Sequence, residues 1–568
     1  MNPSFYLRRS LLTAGALGIV ASANAADFTW GGGDLNWTDT SASGWNGGPP
    51  STGDNATINS GTVTLTVNNQ VNLLNSVTIG GTGKLTQTTD NTWSDFNNLT
   101  LSGGTLESTQ STAGAFGSYQ LSNTVTVTGS TPSTINTINP GNIFINLGLA
   151  VNNSPTFTTF DVADVTANTD ADLTVSTVLA DNIATNFVSF STAGLIKTGA
   201  GTMALAAANT YSGVTTIAAG TLNAATFSDY GVAGSLGNRV ADSGPGNVGI
   251  LFRGGTLQYT GSTAQSTDRA IRIGTEGATI DASGSVPAAT LSFTGTSSPD
   301  FFYDPGNRTL TLTGSNTGDN TFAMAIEEVL GNTSFVKSGS GTWVLTGTNS
   351  YTGDTTVTGG TLKLGNGTEN SNLANTADVI VDSGCTLHLD FDDTDSIDEL
   401  WLGGVRQNAG TYGAGTYSGV TIAGTGFLNV LNGPPIADPF LAWIDPFFPG
   451  ETNPLIIGAT ADPDNDGIEN LVEYVLKNGE PDASSTAILP TLDASGANFV
   501  FTYFRRTAAT GTTQIFQYGN SLSGWTDVPV IDGGIVSITS PEAGIEQVVV
   551  TVAKGANTKL FGRLQVVK

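Results

Sequence analysis

The sequence predicts an all-β protein, and three features of it support that class. The chain of 568 residues contains 73 glycines but only three methionines, and 12% of its residues are charged, so long helix-forming side chains are scarce. Short runs such as GTVTLTV at 61–67 alternate apolar and polar residues and end in turn residues. The phrase Gly-Gly-Thr-Leu recurs at 103–106, 254–257 and 359–362. Because such a strand-turn unit is too short to bury its own apolar face, we predict a stacked β-solenoid over residues 26–433.

The N-terminus has the features of a secretory signal peptide, residues 1–25. A pair of arginines precedes an apolar run at 11–23, which ends in the A-x-A cleavage sequence Ala23-Asn24-Ala25. We therefore expect an exported protein, secreted or held at the cell surface. No other segment approaches the ~18 uninterrupted apolar residues of a membrane helix, so we expect no transmembrane segment in the mature chain.

Composition excludes several classes of function. The formal charge is −28, and an acidic surface of this kind repels phosphate backbones, so we expect no nucleic-acid partner. Cys385 is the single cysteine, which excludes an intramolecular disulfide. With one histidine in the chain, a histidine-rich zinc site is excluded as well.

The longest internal repeat identifies a family. GLIKTGAGTMALAAANTYSGVTTIAAGTL at 194–222 aligns without a gap on SFVKSGSGTWVLTGTNSYTGDTTVTGGTL at 334–362, and both copies keep their turn glycines. The shared patterns K-[TS]-G-x-G-T, N-[TS]-Y-[ST]-G and T-T-x-x-x-G-T-L resemble the autotransporter-associated β-strand repeat of large exported bacterial proteins. The resemblance implies a right-handed parallel β-helix in the passenger part of such a protein.

Two further segments are similar to regions that often flank these repeats. The stretch 29–58 looks like the N-terminal cap, and 386–415 is similar to a segment that often follows the last repeat. Aromatic residues of the cap and the repeats could stack on sugar rings, but in a repeat they more often pack between coils or cover an open end. They are Trp30, Trp37, Trp45, Tyr211, Trp343 and Tyr351.

One departure from the family concerns export. An autotransporter that carries its own pore ends in a β-barrel built from many strands of about 10 residues. The chain after residue 433 is too short for such a barrel. We therefore expect separate export machinery.

The texture changes at Pro434-Pro435, which we predict to be a linker because a proline pair cannot continue a ladder. Residues 434–480 are predicted to hold a short helix that begins at Asp438-Pro439, followed by an EF-hand-like loop with its own helix. Residues 481–568 are predicted to form a small β-sandwich. Its expected strands are 498–506, 512–519, 546–552 and 561–567.

The strongest chemical motif is DPDNDGIENLVE at 462–473, which fits D-x-D-x-D-G-x₅-E. The spacing predicts a structural Ca²⁺ site, because calcium prefers several oxygens around one point. The predicted ligands are Asp462, Asp464, Asp466, the backbone carbonyl of Ile468, and Glu473. The loop is similar to those of dockerins and thrombospondin-type calcium repeats. The alternative is a solvated acidic turn before a capped helix at 468–477.

A second acidic stretch, 389–399, lies beside the only histidine, His388. Paired carboxylates hydrolyse polysaccharides on some β-helices, but the basic partners that those enzymes use are absent here, and we predict no catalytic residue. The expected function is therefore a non-catalytic structural or adhesive protein whose partners are extracellular glycans or other surface proteins. Two alternatives remain, a polysaccharide hydrolase or lyase and a calcium-dependent glycan-binding protein.

Overall fold

A computed structural model describes residues 25–568, except 72–73, 113–116, 140–142, 149–155, 184–189, 242–247, 296–304, 329, 368–372, 435–437, 450, 452 and 558. The predicted signal peptide lies outside the described residues apart from Ala25, and so does Pro435 of the predicted linker. The chain divides into two compact units, Met1–Asn432 and Gly433–Lys568.

The first unit is built from short strands separated by turns. Its strands up to Ile273 are β1 (Asp27–Thr29), β2 (Leu35–Asn36), β3 (Asn55–Ile58), β4 (Thr62–Leu65), β5 (Ser76–Gly80), β6 (Lys84–Gln87), β7 (Ser94–Ser102), β8 (Thr105–Ser108), β9 (Tyr119–Val127), β10 (Ser133–Thr137), β11 (Phe144–Leu147), β12 (Thr156–Val162), β13 (Leu173–Val175), β14 (Val178–Ala180), β15 (Asn182–Ile183), β16 (Phe190–Ser191), β17 (Ala193–Thr198), β18 (Thr202–Leu205), β19 (Thr215–Ile217), β20 (Thr221–Ala224), β21 (Ile250–Phe252), β22 (Thr256–Tyr259), β23 (Gln265–Thr267) and β24 (Ile271–Ile273).

The same pattern continues to the end of the unit. Its remaining strands are β25 (Ala278–Ala282), β26 (Leu291–Phe293), β27 (Arg308–Thr313), β28 (Asp319–Phe322), β29 (Thr333–Lys337), β30 (Thr342–Leu345), β31 (Thr355–Val357), β32 (Thr361–Leu364), β33 (Val379–Val381), β34 (Thr386–Leu389), β35 (Thr394–Ile397), β36 (Leu400–Leu402), β37 (Val405–Arg406), β38 (Gly410–Tyr412), β39 (Gly415–Tyr417), β40 (Val420–Gly424) and β41 (Phe427–Val430).

Most of these strands form three long sheets, while β15-β16 and β35-β41-β38 form two small ones. Sheet one runs β1-β3-β5-β7-β9-β12-β17-β19-β21-β24, sheet two runs β2-β4-β6-β8-β10-β13-β18-β20-β22-β25-β27-β29-β31-β33-β36-β37, and sheet three runs β23-β26-β28-β30-β32-β34-β40-β39. Neighbouring strands are parallel, as where Asn55 pairs with Ser76, until antiparallel strands close the C-terminal end, β37 on β36 and β39 on β40. The all-β class is confirmed, and the long parallel sheets are compatible with the predicted solenoid.

The two long repeats lie on different faces of this unit. Strands β17 to β20 of the first copy alternate between sheets one and two, whereas β29 to β32 of the second copy alternate between sheets two and three. The change of sheets occurs between β22 and β25. Strand β22 lies in sheet two, β23 in sheet three, β24 in sheet one, and β25 again in sheet two. The repeat therefore specifies two stacked turns and not a particular face.

Each repeat places a lysine at an inward position of an otherwise apolar column. Lys197 pairs between Phe160 and Ile217, and Lys337 pairs between Leu312 and Val357. Both lysines are 0% exposed. Such a position requires hydrogen-bond partners for the ammonium group.

The partners are the carbonyl oxygens of the following turn and of the next coil. The Nζ atom of Lys197 donates to the oxygens of Thr198, Gly199 and Ala219 at 2.7, 2.9 and 3.2 Å. Lys337 Nζ repeats this arrangement with Ser338, Gly339 and Gly359 at 2.7, 2.9 and 2.9 Å. The lysine of K-[TS]-G therefore fastens its own turn to the neighbouring coil.

A pH dependence of stability follows from these lysines. Burial lowers the pKa of Lys197 and of Lys337 from 10.5 to about 8. Between about pH 8 and the ordinary lysine value the unfolded state binds more protons than the folded state, so stability rises with pH. Burial raises the pKa of Tyr211 from 10.0 to about 12, so tyrosine ionisation opposes this rise only near pH 10 and above.

We expect the urea concentration at which half of the first unit is unfolded, measured by pulse proteolysis, to be higher at about pH 9.5 than at about pH 7.5. The double variant Lys197→Met and Lys337→Met should lose most of this increase. The exposed Lys559→Met provides the control and should keep the increase. A midpoint of the parent protein that falls over this interval would contradict the prediction.

The second unit contains short helices and two antiparallel sheets. Its elements are α1 (Pro439–Ile444), α2 (Pro454–Ile457), α3 (Asn470–Val475), a 3₁₀ turn (Thr486–Ile488), β42 (Thr491–Asp493), β43 (Asn498–Arg506), β44 (Thr513–Ser521), β45 (Gly524–Pro529), β46 (Val536–Glu542), β47 (Ile545–Ala553) and β48 (Phe561–Val567). The sheet orders are β42-β43-β47-β46 and β45-β44-β48. Phe501 and Phe516, one from each sheet, lie in a shared buried cluster with ring centroids 4.7 Å apart. None of the helices in the described part of the chain has the length and apolar character that a bilayer crossing requires.

Local signals place the first helix, and tertiary contacts end the third. The Asp438 side chain accepts a hydrogen bond from Phe440 N at 3.1 Å and caps α1, as its Asp-Pro start predicts. Helix α3 is shorter than the predicted 468–477 because Leu476 is extended and pairs with Arg505. The structure also places residues 434–480 and 481–568, predicted as separate segments, in one compact unit.

Candidate metal centre

The loop 462–473 brings three carboxylates together. Ligand oxygens of Asp462, Asp464 and Asp466 all lie within 4.8 Å of one another. Gly467 has a φ of 90°, a backbone conformation that residues with a side chain rarely adopt. It supplies the sharp turn that its place in the motif predicts. Within the described ranges, no other group of three or more His, Cys, Asp or Glu side chains converges in this way.

Backbone amides orient these carboxylates. Asp462 accepts from the amides of Asp466 and Gly467 at 3.1 and 2.9 Å. Asp464 also accepts from Asp466 N at 3.1 Å, and Asp466 accepts from Ile468 N at 2.8 Å. The loop conformation is therefore held by the same side chains that the motif assigns to metal binding.

Glu473 is the feature that distinguishes this loop from a solvated acidic turn. Its side chain is 0% exposed, and neither carboxylate oxygen has a hydrogen-bond partner in the described structure. Asp464 Oδ2 is likewise buried without a hydrogen bond. Burial first, and then repulsion from Asp464, Asp466 and Asp462, raise the pKa of Glu473 to about 7. A buried carboxylate in such a place is costly unless a cation is bound beside it.

The donor set fits a hard divalent cation. Three aspartates, one backbone carbonyl at Ile468 and a glutamate able to bind through both oxygens match the oxygen ligands that calcium takes in a twelve-residue loop. Asn470, at the ninth position, donates its side-chain amide to the carbonyls of Ile456 and Gly458 at 2.8 and 3.0 Å, while its Oδ1 atom is buried without a hydrogen bond. This tie to α2 could not be read from the motif.

The acidic stretch 389–399 does not form a comparable site. Asp390 pairs with Lys363 at 3.1 Å, and Glu399 pairs with Arg406. Asp395 is buried and accepts from Leu373 N at 2.6 Å. These carboxylates therefore support local structure in β35 and in the turns beside it, and they are not gathered around one point.

The aromatic residues that could have stacked on sugars are buried. The six residues Trp30, Trp37, Trp45, Tyr211, Trp343 and Tyr351 are all in the apolar core of the first unit. Tyr211 and Tyr351 contact Thr215 and Thr355 through their hydroxyl groups, both at 2.7 Å, which repeats one interior contact in the two copies. The prediction that they pack in the interior is confirmed.

Comparisons with known proteins agree with the repeats. Residues 195–224 and 335–364 match the passenger-associated-transport-repeat family. The chain is also similar to the adhesin BmaC autotransporter of Brucella suis biovar 1 (strain 1330), with 36% identity over 181 residues, which is 32% of this chain but only 5% of that protein. No solved structure matches the chain significantly. The two long copies are therefore autotransporter passenger-type repeats, as their sequence patterns predicted.

Proposed function

We propose that this chain is an exported, non-catalytic adhesive protein of the passenger type, displayed at the cell surface or released to the matrix. The main support is the pair of matched repeats in parallel β-sheets, together with the similarity to an autotransporter that is named an adhesin. In both copies the retained residues set turns and fill the interior, so the repeats supply a scaffold and leave the outer face free to vary.

The scaffold proposed here is a right-handed parallel β-helix, since parallel crossover connections are almost always right-handed. Its partners would be extracellular glycans or other surface proteins, recognised on outward-facing side chains and not by the buried aromatic residues. The second unit would be a small β-sandwich built from its two antiparallel sheets.

Calcium is proposed as the structural cofactor of the second unit. Its ligands would be Asp462, Asp464, Asp466, the Ile468 carbonyl and Glu473, supported by the convergence of the aspartates and the buried, unbonded carboxylate of Glu473. The ion would neutralise the repulsion within the loop. It supplies no catalytic step in this proposal.

The alternative function is polysaccharide cleavage on the same scaffold. It would need a pair of free carboxylates across a bound sugar chain. The acidic stretch 389–399 offers little support, because Asp390, Asp395 and Glu399 are already engaged.

Binding and degradation assays on the purified full chain distinguish these functions. We expect saturable binding to immobilised glycans or surface proteins and no release of sugar fragments from a panel of polysaccharides. Cells that lack the protein should adhere less than the parent cells. The variants Asp392→Asn and Asp393→Asn alter the two exposed acids of the stretch. If the parent protein cleaves a polysaccharide and either variant loses this activity, the proposal is overturned in favour of the enzyme.

A further inference from the structure

Helix α3 joins the metal-binding loop to both apolar clusters of the second unit. Leu471, Tyr474 and Val475 pack in a helix cluster with Phe440 and Ile444 of α1. The next residue, Leu476, belongs instead to the sheet cluster, whose members include Phe501, Phe516, Val548 and Val550. A displacement of α3 would therefore disturb both clusters.

Hydrogen bonds fix the end of α3 to strand β43. Arg506 Nη2 donates to the Glu473 carbonyl at 2.6 Å and to the Gly479 carbonyl at 3.3 Å. The amide of Lys477 donates to the Phe504 carbonyl at 3.0 Å. Glu473, the last residue of the loop, is therefore bonded to the sheet through its carbonyl.

The loop itself bonds to two other segments. Asp466 accepts a hydrogen bond from Ser485 N, just before the 3₁₀ turn. Asn470, at the start of α3, donates to the carbonyls of Ile456 and Gly458 at the end of α2. The loop and α3 thus contact every helical segment of the unit and its longer sheet.

The loop that precedes α3 also brings several negative charges close together. Five carboxylates share one short loop, and that of Glu473 is buried without a hydrogen bond. Helix α3 has six residues, far fewer than the ~12–15 that an isolated helix needs for marginal stability. Without a cation, charge repulsion would oppose the packing on which both clusters depend.

We propose that the second unit, Gly433–Lys568, folds only when calcium occupies this loop, so that external calcium acts as its folding signal. The inference rests on the calcium site proposed above and adds its regulatory consequence. Metal binding to a site that exists only in the folded state adds directly to the folding free energy. At a calcium concentration ten times the dissociation constant, the ratio of folded to unfolded molecules rises about elevenfold.

The expected affinity places this transition outside the cell. Extracellular calcium modules bind at roughly 10⁻⁴ to 10⁻³ M, far weaker than cytosolic sensors. The second unit would then stay unfolded at intracellular calcium and fold after export. The first unit would be insensitive to calcium, since its described residues contain no comparable cluster.

Hydrogen exchange of the full chain, read by mass spectrometry with and without about 2 mM calcium, tests this inference. Peptides from β43 and β47 report on the sheet cluster, outside the loop sequence, and peptides from β18 and β30 report on the first unit. We expect calcium to slow exchange in β43 and β47 by about 3- to 20-fold, the range that about 2 mM calcium gives for dissociation constants of roughly 10⁻³ to 10⁻⁴ M, and to leave β18 and β30 unchanged. Magnesium alone should not replace calcium, because it prefers a smaller and more rigid octahedral site.

Two substitutions in the loop provide a matched pair. Glu473→Gln removes a ligand and the buried charge together. The exchange rate in β43 and β47, whether fast or slow, should then no longer depend on calcium. Glu469→Gln removes the same charge from an exposed position in the loop and should keep the full calcium response.

Calorimetric titration with calcium separates the two possible failures. Absence of binding at millimolar calcium would remove the proposed site, and the inference with it. Binding accompanied by slower exchange only within 462–485 would leave the site in place but overturn calcium-dependent folding. Equal protection of β43 and β47 with calcium and with a chelator would overturn it as well.

Discussion

Valine in place of Gly213 or Gly353 is expected to destabilise the first unit by on the order of 3 kcal/mol, because each glycine lies where two coils approach most closely. A Cβ atom at Gly213 would lie 2.3 Å from the Ala193 oxygen, and one at Gly353 would lie 2.5 Å from the Thr333 oxygen. Both opposing atoms belong to the backbone and cannot rotate away. The glycine amides donate to those same oxygens, at 2.7 and 3.0 Å, so the approach is part of the coil-to-coil pairing.

The clash involves Cβ itself, and this gives the prediction a sharp internal test. Gly213→Ala should cost most of what Gly213→Val costs. Gly496→Val is the control, because a Cβ there meets nothing within 4 Å and its φ lies outside the left-handed region. Limited proteolysis should show new cleavage near the altered coil, since each coil contacts only its neighbours. Resistance equal to that of the parent protein in both repeat variants would show that the close approach is dispensable.

The two glycines also show how far a repeat can be read from sequence. Their recurrence after Asn-x-Tyr-x predicted a turn or a close approach of coils, and the structure has the close approach. The face on which each copy lies could not be predicted, because it depends on the strands between the copies, where β23 starts a third sheet. Periodicity records which side chains point inward, but not how many strands one turn of the stack contains.

The inward lysines were visible but not interpretable from sequence. Lys197 and Lys337 recur in register, yet a lysine in an alternating strand is ordinarily expected to face solvent. Their burial depends on carbonyls of the next coil, at Ala219 and Gly359, which lie 22 residues away in both cases. The recurrence of a charged residue at an otherwise apolar place was the signal that could have revealed them.

The candidate metal-binding loop shows the same division between local and distant information. The converging aspartates and Gly467 follow from spacing alone, because all of them lie within one turn of chain. The burial of Glu473 and its bond to Arg506, 33 residues away, depend on the packing of α3 against β43. For this reason the spacing predicted the convergence of the aspartates, whereas the sequence assigned the loop to a segment separate from the sheets.

Alanine in place of Trp45 is the second large effect that we expect, at about 3–5 kcal/mol for loss of a buried tryptophan. Trp45 is packed edge-on between Trp30 and Trp37, with ring centroids 5.0 and 4.9 Å away. The two partners are held by the second coil, since Trp30 N donates to the Thr57 oxygen at 2.8 Å and Trp37 N to the Thr64 oxygen at 2.9 Å. Trp45 lies in the loop between β2 and β3, and its side chain therefore fills the interior of the first coil.

The loss of the Trp45 side chain should also change how the first unit opens and aggregates. Among the described residues the first coil has a pairing partner on one side only, so removal of its tryptophan filling should expose the edges of β3 and β4 to other chains. We expect Trp45→Ala to show faster hydrogen exchange in β1 to β4 and concentration-dependent aggregation, while β29 to β32 keep the exchange of the parent protein. Trp45→Phe should restore most of the protection, because it keeps an aromatic ring between Trp30 and Trp37. Trp401→Ala, which removes a partly exposed tryptophan near the other end of the unit, is the matched control and should leave β1 to β4 protected. Unchanged exchange in β1 to β4 of Trp45→Ala would show that the three tryptophans do not act as a cap.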